Sequence, residues 1–233
     1  MDKYKFIISL GSDCFFRSLI DRYSLRDKFN IRMPFDGSVH PYETVCHLIE
    51  TDFNDYLDNI VFENNNFYNK KLNITWNHEK TKDLISFKNH NKLRVKQFLD
   101  TINMNKGIIF TLHYNDLNNN DFRPDKLVEI LNNKYAQLKY KIFIFNNMNK
   151  DFFKYTNDNI YYLNIPYQSP NLNKIHYNNF SIINNLFIKE MYNTKYGKIF
   201  AEKILFYLLE CMEDNKNYIL NKNYNFNDEL NND

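Results

Sequence analysis

Four short runs of this 233-residue chain are apolar almost throughout, and each ends in a cluster of small or polar residues. They are Phe6–Leu10, Gly107–Leu112, Tyr140–Phe145 and Asn159–Ile165. Each has strand length and is rich in Ile, Phe and Tyr, so each reads as a buried strand. Between them the period changes to that of a helix. Phe15, Phe16, Leu19 and Ile20 recur at helical spacing. Val45, Leu48, Ile49, Phe53 and Leu57 do so within 41–57, and Leu93, Val95, Phe98, Leu99 and Ile102 within 87–104. Pro124 opens a further helix to Gln137, since proline is pre-set for the first helical turn, and 180–188 and 196–212 read as the last two. Strand alternating with helix predicts an α/β fold: one layered domain over residues 1–217, with a central, mostly parallel sheet flanked by helices. Short β-like pieces near residues 60–76, separated by Asn-rich turns, predict a small antiparallel excursion. Residues 218–233, rich in Asn and acidic at the end, read as a flexible tail.

Composition narrows the function classes. The formal net charge is +2 with no dense Lys/Arg run, so nucleic acid is not the expected partner. No segment approaches the roughly 18 apolar residues of a membrane span, and the N-terminal apolar run is too short for a signal peptide. The expectation is a cytoplasmic or otherwise intracellular protein, in the host cytoplasm if the source is viral. Three cysteines, Cys14, Cys46 and Cys211, form no CxxC pair and predict neither a disulfide framework nor a zinc site. His40, His47, His90 and His176 lack metal-ligand spacing and read as structural or exposed. No cofactor or metal is expected. The 21 Phe and 18 Tyr could also serve as a contact surface in an interaction protein.

The chemistry points to the end of the first strand. Gly11-Ser12-Asp13-Cys14 joins strand to helix, with Ser12 or Asp13 placed to cap the helix. Cys14 falls in the first turn, where the dipole and free N–H groups favour a thiolate. Ligands of open α/β sheets gather at the carboxyl ends of strands, which also brings in His113, Asn115 and Asp116, then Asn146 and Asn147. A cysteine hydrolase needs a thiolate, a histidine and an orienting acid or amide, plus oxyanion donors. His78, at the end of the Leu72–Trp76 piece, follows the cysteine in papain-like order. Glu79 cannot orient its own neighbour, because adjacent side chains of extended chain face opposite ways. Asp36 and Asp83 are the candidate orienting acids, and His113 with Asp116 is a rival site.

Several stretches resemble a family of bacterial and viral proteins described as papain-like cysteine peptidases. They are Ile8-Ser9-Leu10-Gly11-Ser12-Asp13-Cys14, Ser24-Leu25-Arg26-Asp27, Pro34-Phe35-Asp36 and the acidic segment 50–57. Leu72 to Glu79, ending His78-Glu79, resembles the family's histidine and acid after a short strand. The resemblance implies a peptidase or amidase with Cys14 as nucleophile, His78 as general base, Asp36 in the motif, and Gly11, Ser12 and Asp13 around the oxyanion. Its partner would be a protein or peptide substrate. Where the family has Trp after Pro-Phe-Asp this chain has Gly37, and no Gln or Asn precedes Cys14 to act as a second oxyanion donor. The alternative is a Rossmann-like domain that binds a small ligand or transfers a group, with Gly11 to Cys14 as a backbone anion site and Cys14 structural.

Overall fold

A computed structural model describes residues 4–11, 13–25, 32–113, 122–146, 158–165, 180–213 and 219–221. The chain is α/β. Strands β1 (Phe6–Ser9), β5 (Ile108–His113), β6 (Tyr140–Asn146) and β7 (Ile160–Asn164) form a parallel sheet in the order β1-β5-β6-β7. The register pairs Ser9 with Thr111, His113 with Phe145, and Asn146 with Asn164. The carboxyl ends of these strands therefore lie along one edge of the sheet. A three-residue strand, β8 (Ile219–Asn221), pairs in parallel with β7. It falls within the stretch expected to be a loose tail.

Every residue of β5 and β6 is buried, as expected for a parallel sheet covered on both faces. Successive side chains point to opposite faces. Ile108, Phe110, Leu112, Ile142 and Ile144 enter one core, while Ile109, Phe143 and Phe145 enter the other. Helix α1 (Phe15–Arg22) packs on the second face through Phe15, Phe16, Leu19 and Ile20. Phe187 and Met191 of α5 (Phe180–Asn193), and Phe200, Ile204 and Leu208 of α6 (Lys195–Glu213), complete that core. The first core is covered by α2 (Tyr42–Glu50), α3 (Leu84–Asn103) and α4 (Pro124–Lys134).

Helix α2 is shorter than its apolar pattern predicts. It stops at Glu50, and Asp52 and Phe53 then take left-handed backbone angles, φ 53° and 61°. That conformation costs a non-glycine residue about 1–2 kcal/mol. Burial of Phe53 against Phe35, Tyr56 and Phe98 offsets it, with ring centroids 5.3–5.5 Å apart. The predicted excursion is a separate antiparallel sheet of β2 (Ile60–Glu63), β3 (Asn66–Asn69) and β4 (Ile74–Trp76). Its first hairpin turns on Asn64 and Asn65, both at positive φ, the geometry a tight two-residue hairpin requires. A bridge between Val39 and Thr75 ties this sheet to the segment after Pro34-Phe35-Asp36-Gly37, which forms a 3-10 turn. That turn and β4 thereby reach the site. Among the described residues no helix is long and apolar enough to cross a membrane.

Candidate functional site

The chain leaves β1 at Leu10, whose N–H donates to the Thr111 carbonyl at 2.9 Å, and turns at Gly11 with φ +81°. Two buried histidines pin this turn. From below, His40 presses its ring on Gly11: a Cβ there would stand 2.3 Å from Cε1 and 2.5 Å from Nε2. Nε2 of His40 donates to the Leu10 carbonyl at 3.0 Å, while Nδ1 accepts from the Ser38 hydroxyl at 3.2 Å. Burial holds the imidazole neutral and pushes its pKa down to about 4, against the opposing effects of the Leu10 carbonyl and Asp13. Glycine is the residue this turn requires, for both its backbone angle and its lack of a Cβ.

From the sheet side, His113 at the end of β5 donates Nδ1–H to Asp13 Oδ2 at 2.8 Å. The other carboxylate oxygen, Oδ1, accepts the Phe15 N–H at 2.8 Å. The N-cap position falls on Cys14 rather than on Ser12 or Asp13, but Asp13, one residue earlier, still takes up a first-turn N–H and also bridges β1 to β5. The His113 ring is fully buried against Phe15 and Phe145, with centroids at 4.3 and 5.4 Å. His113 is paired with Asp13; Asn115 and Asp116 of the rival site lie outside the described residues, as do Ser12 and Asn147.

Cys14 stands on the pinned turn as the N-cap residue just before α1. It is partly accessible, whereas Cys46 and Cys211 are buried. The expected preformed thiolate is not what this environment favours. Burial first, and then the Asp13 carboxylate, push the thiol up to about 11, against the opposing pull of Arg17; Asp36 pushes the same way as Asp13. The dipole of an eight-residue helix is outweighed by desolvation and an adjacent negative charge. No hydrogen bond joins Cys14 to His78 or to His113 among the described residues.

His78 lies in the loop after β4 and is exposed. Partial burial, and then the cations Arg17 and Arg32, lower its pKa and favour the neutral imidazole. Cys14 and His78 are both within electrostatic reach of Arg17, which follows the cysteine by three residues on the same helix face. Asp36 is buried, and its Oδ2 accepts the Met33 N–H at 2.7 Å, which holds the 3-10 turn. Its charge is felt at Cys14. Asp83 is exposed and accepts the Ser86 N–H at 2.7 Å, so its carboxylate caps α3 rather than orienting a histidine. His47 pairs with Asp55 at 3.0 Å away from this edge.

Beneath the turn lies a polar network. Arg94 of α3 grips Glu79 through both guanidinium ends, with both side chains largely buried, and Arg94 also donates to Asn91 at 3.1 Å. Tyr56 donates to the Pro34 carbonyl at 2.8 Å and accepts from Trp76 Nε1 at 3.2 Å. Gly37 faces this pair, since a Cβ there would meet Glu79 Oε1 at 3.5 Å and Arg94 Nη1 at 3.9 Å. That is ordinary contact, so an aromatic residue at 37 would lean toward the ion pair. The network explains what Glu79 does: it fixes the loop that bears His78. Among the described residues no group of three or more His, Cys, Asp or Glu side chains could hold a metal ion. No family model, curated protein or solved structure matches the chain.

Proposed function

We propose that this chain is a cysteine-dependent hydrolase of the papain-like kind, a peptidase or amidase, with Cys14 as nucleophile and His78 as general base. The observation that carries the reading is the accessible Cys14 on a turn held by two buried histidines and one buried carboxylate. Burying that many polar groups at the carboxyl edge of a sheet costs free energy unless each is paired, and here each has a partner. The investment fixes the position of one side chain, and that side chain is a thiol.

The resting pair is neutral thiol and neutral imidazole, so the nucleophile forms only as substrate binds. The thiol proton passes to His78 as the sulfur adds to the carbonyl carbon. His78 then gives that proton to the leaving amine as the C–N bond breaks, leaving a thioester on Cys14. Water then adds to the thioester carbonyl as the same imidazole takes one of its protons, and that proton passes to the sulfur as the C–S bond breaks, restoring the thiol and releasing the acid product. The Cys14 backbone N–H is the nearest oxyanion donor the turn offers. Asp13 keeps this turn in place, and Asp36 holds the neighbouring 3-10 turn. Three free thiols fit a reducing compartment, so its work would be intracellular.

The resting state of Cys14 favours a second reading. With its pKa pushed up to about 11 and no histidine bonded to it, the thiol fits a structural role in a Rossmann-like site that binds a small anion or transfers a group. A panel of aryl esters and peptide anilides separates the two. The hydrolase reading predicts turnover that Cys14→Ser and His78→Ala each reduce at least about a hundredfold, within the range for acid–base and nucleophilic groups. Turnover retained in Cys14→Ser would move the function to the second reading.

A further inference from the structure

His113 touches the chain on both sides of Cys14. Its Nδ1 lies 2.8 Å from Asp13 Oδ2, and its ring packs on the Phe15 ring with centroids 4.3 Å apart. Asp13 closes the span itself, because its Oδ1 accepts the Phe15 N–H at 2.8 Å, across the backbone of Cys14. A carboxylate bonded two residues on is an Asx-turn, and it fixes the backbone through Cys14, where φ is −86° and ψ 5°. The imidazole is fixed in its turn. Its side chain is fully buried, and its ring stacks with that of Phe145, its register partner on β6, at 5.4 Å. Phe15 and Phe145 stack on each other at 5.0 Å, which closes a triangle of rings. The strand holds the imidazole, the imidazole holds the carboxylate, and the carboxylate holds the cysteine.

Capping alone does not require this arrangement. Serine or asparagine takes up a first-turn N–H as well as aspartate does, and neither needs a buried imidazole beside it. A buried carboxylate–imidazole pair loses hydration that a packed apolar pair never had, so it adds little net stability. What it adds is direction, since a bond to one ring nitrogen holds the carboxylate at one angle. We propose that His113 is a positioning residue of the site: acting through Asp13, its Nδ1–H bond sets where the Cys14 thiol stands, and hence how fast that thiol attacks a carbonyl carbon. This rests on the reading of Cys14 as the site's centre, and only the turnover arm of its test rests on the hydrolase.

Two variants divide what His113 does. His113→Phe keeps an aromatic ring against Phe15 and Phe145 but deletes the donor, whereas His113→Asn drops the ring and sets an amide N–H near the place of Nδ1. The first readout is alkylation of Cys14 by iodoacetamide in the whole protein at about pH 9, where a small thiolate fraction reacts. The buried Cys46 and Cys211 report any unfolding. Without the donor the turn loosens and the thiol is less desolvated, so His113→Phe should speed alkylation at least about fivefold while His113→Asn stays within about twofold of the parent. Asp13→Ala should speed it too, and adding His113→Phe to Asp13→Ala should change nothing further, because the histidine acts through the carboxylate. The second readout is turnover of the aryl ester. A thiol displaced by about an ångström loses up to about a hundredfold, so His113→Phe should lower kcat at least about tenfold with KM within about twofold, and His113→Asn should restore it. Equal behaviour of the two variants, or effects that multiply in the double variant, overturns the proposal. If His113→Phe does not fold, the parent decides: the His113 Nδ1–H resonance in a nitrogen-edited NMR spectrum should move when Cys14 is alkylated, and a resonance that stays put overturns the proposal. Ester turnover that needs Cys14 but is unchanged in His113→Phe sinks the positioning role and leaves the hydrolase standing. No turnover in the parent, with the alkylation pattern as stated, sinks only the hydrolase.

Discussion

Replacing Gly11 with alanine tests how tightly the candidate site is built. At φ +81° an L-residue pays about 1 kcal/mol or more for left-handed backbone. The added methyl would stand 2.3 Å from His40 Cε1, over an ångström closer than ordinary contact, so the ring must move. His40 is buried and cannot swing into solvent. Moving it strains or breaks the bond to the Leu10 carbonyl and the bond from Ser38, each worth about 1 kcal/mol. The sum is about 2–4 kcal/mol, which for a chain of this size lowers the melting temperature by about 5–12 °C. Chemical denaturation of Gly11→Ala, His40→Ala and the double variant is the assay. His40→Ala removes the obstacle, so the double variant should be at least about 1 kcal/mol more stable than additivity allows. A Gly11→Ala protein within about 0.5 kcal/mol of the parent, or strict additivity, would refute the packing argument.

Three other outcomes follow from the same geometry. Cys14 alkylation should climb through pH 9 to 11 with a midpoint near 11, and Asp13→Asn should lower that midpoint by removing the adjacent charge, while Cys46 and Cys211 stay protected until unfolding; a parent midpoint below 8 contradicts this. Glu79→Ala should destabilise by about 3 kcal/mol or more because it strands a buried Arg94, whereas removing both partners should cost much less; equal losses would count against the network. His40 binds no proton in the folded chain until pH falls near 4, but the unfolded chain takes one up near 6.5. Its contribution is therefore complete above 6.5 and is lost between 6.5 and 4, to a total of about 3 kcal/mol. Denaturation across pH 4–7 should show a steeper acid loss in the parent than in His40→Asn, and parallel curves would exclude this origin.

The layered fold was legible in the sequence because parallel strands buried on both faces leave continuous apolar runs, and Phe6–Leu10, 107–112, 140–145 and 159–165 are such runs. The excursion near 60–76 was legible from its Asn-rich turns. The end of α2 was not, because Phe53 continues the helical period yet leaves the helix to join Phe35 and Phe98. At the site, Gly11, Asp13 and Cys14 stand together as their spacing implied. From the sequence the helix dipole is the visible influence on Cys14, whereas the burial of the thiol and the nearby Asp13 carboxylate exist only in the folded chain. For His113 the local sequence offers Asp116, three residues on, which lies outside the described residues. Its bond to Asp13, 100 residues away across β1 and β5, is one that only the strand register reveals. His40 carried no local signal, since the residue that needs it is a glycine 29 positions earlier. Arg17 did carry one, the i, i+3 spacing from Cys14, and it went unused.

The central claim is that the pinned turn exists to present Cys14 as a nucleophile. Intact-mass measurement after brief exposure to an acylating aryl ester, followed by peptide mapping, tests it most directly. The account predicts a single acyl group on Cys14, formed faster with His78 present than in His78→Ala, and shed on standing as the thioester hydrolyses. Acylation spread over lysines with Cys14 unmodified, or a Cys14 adduct that forms at the same rate without His78, would contradict it.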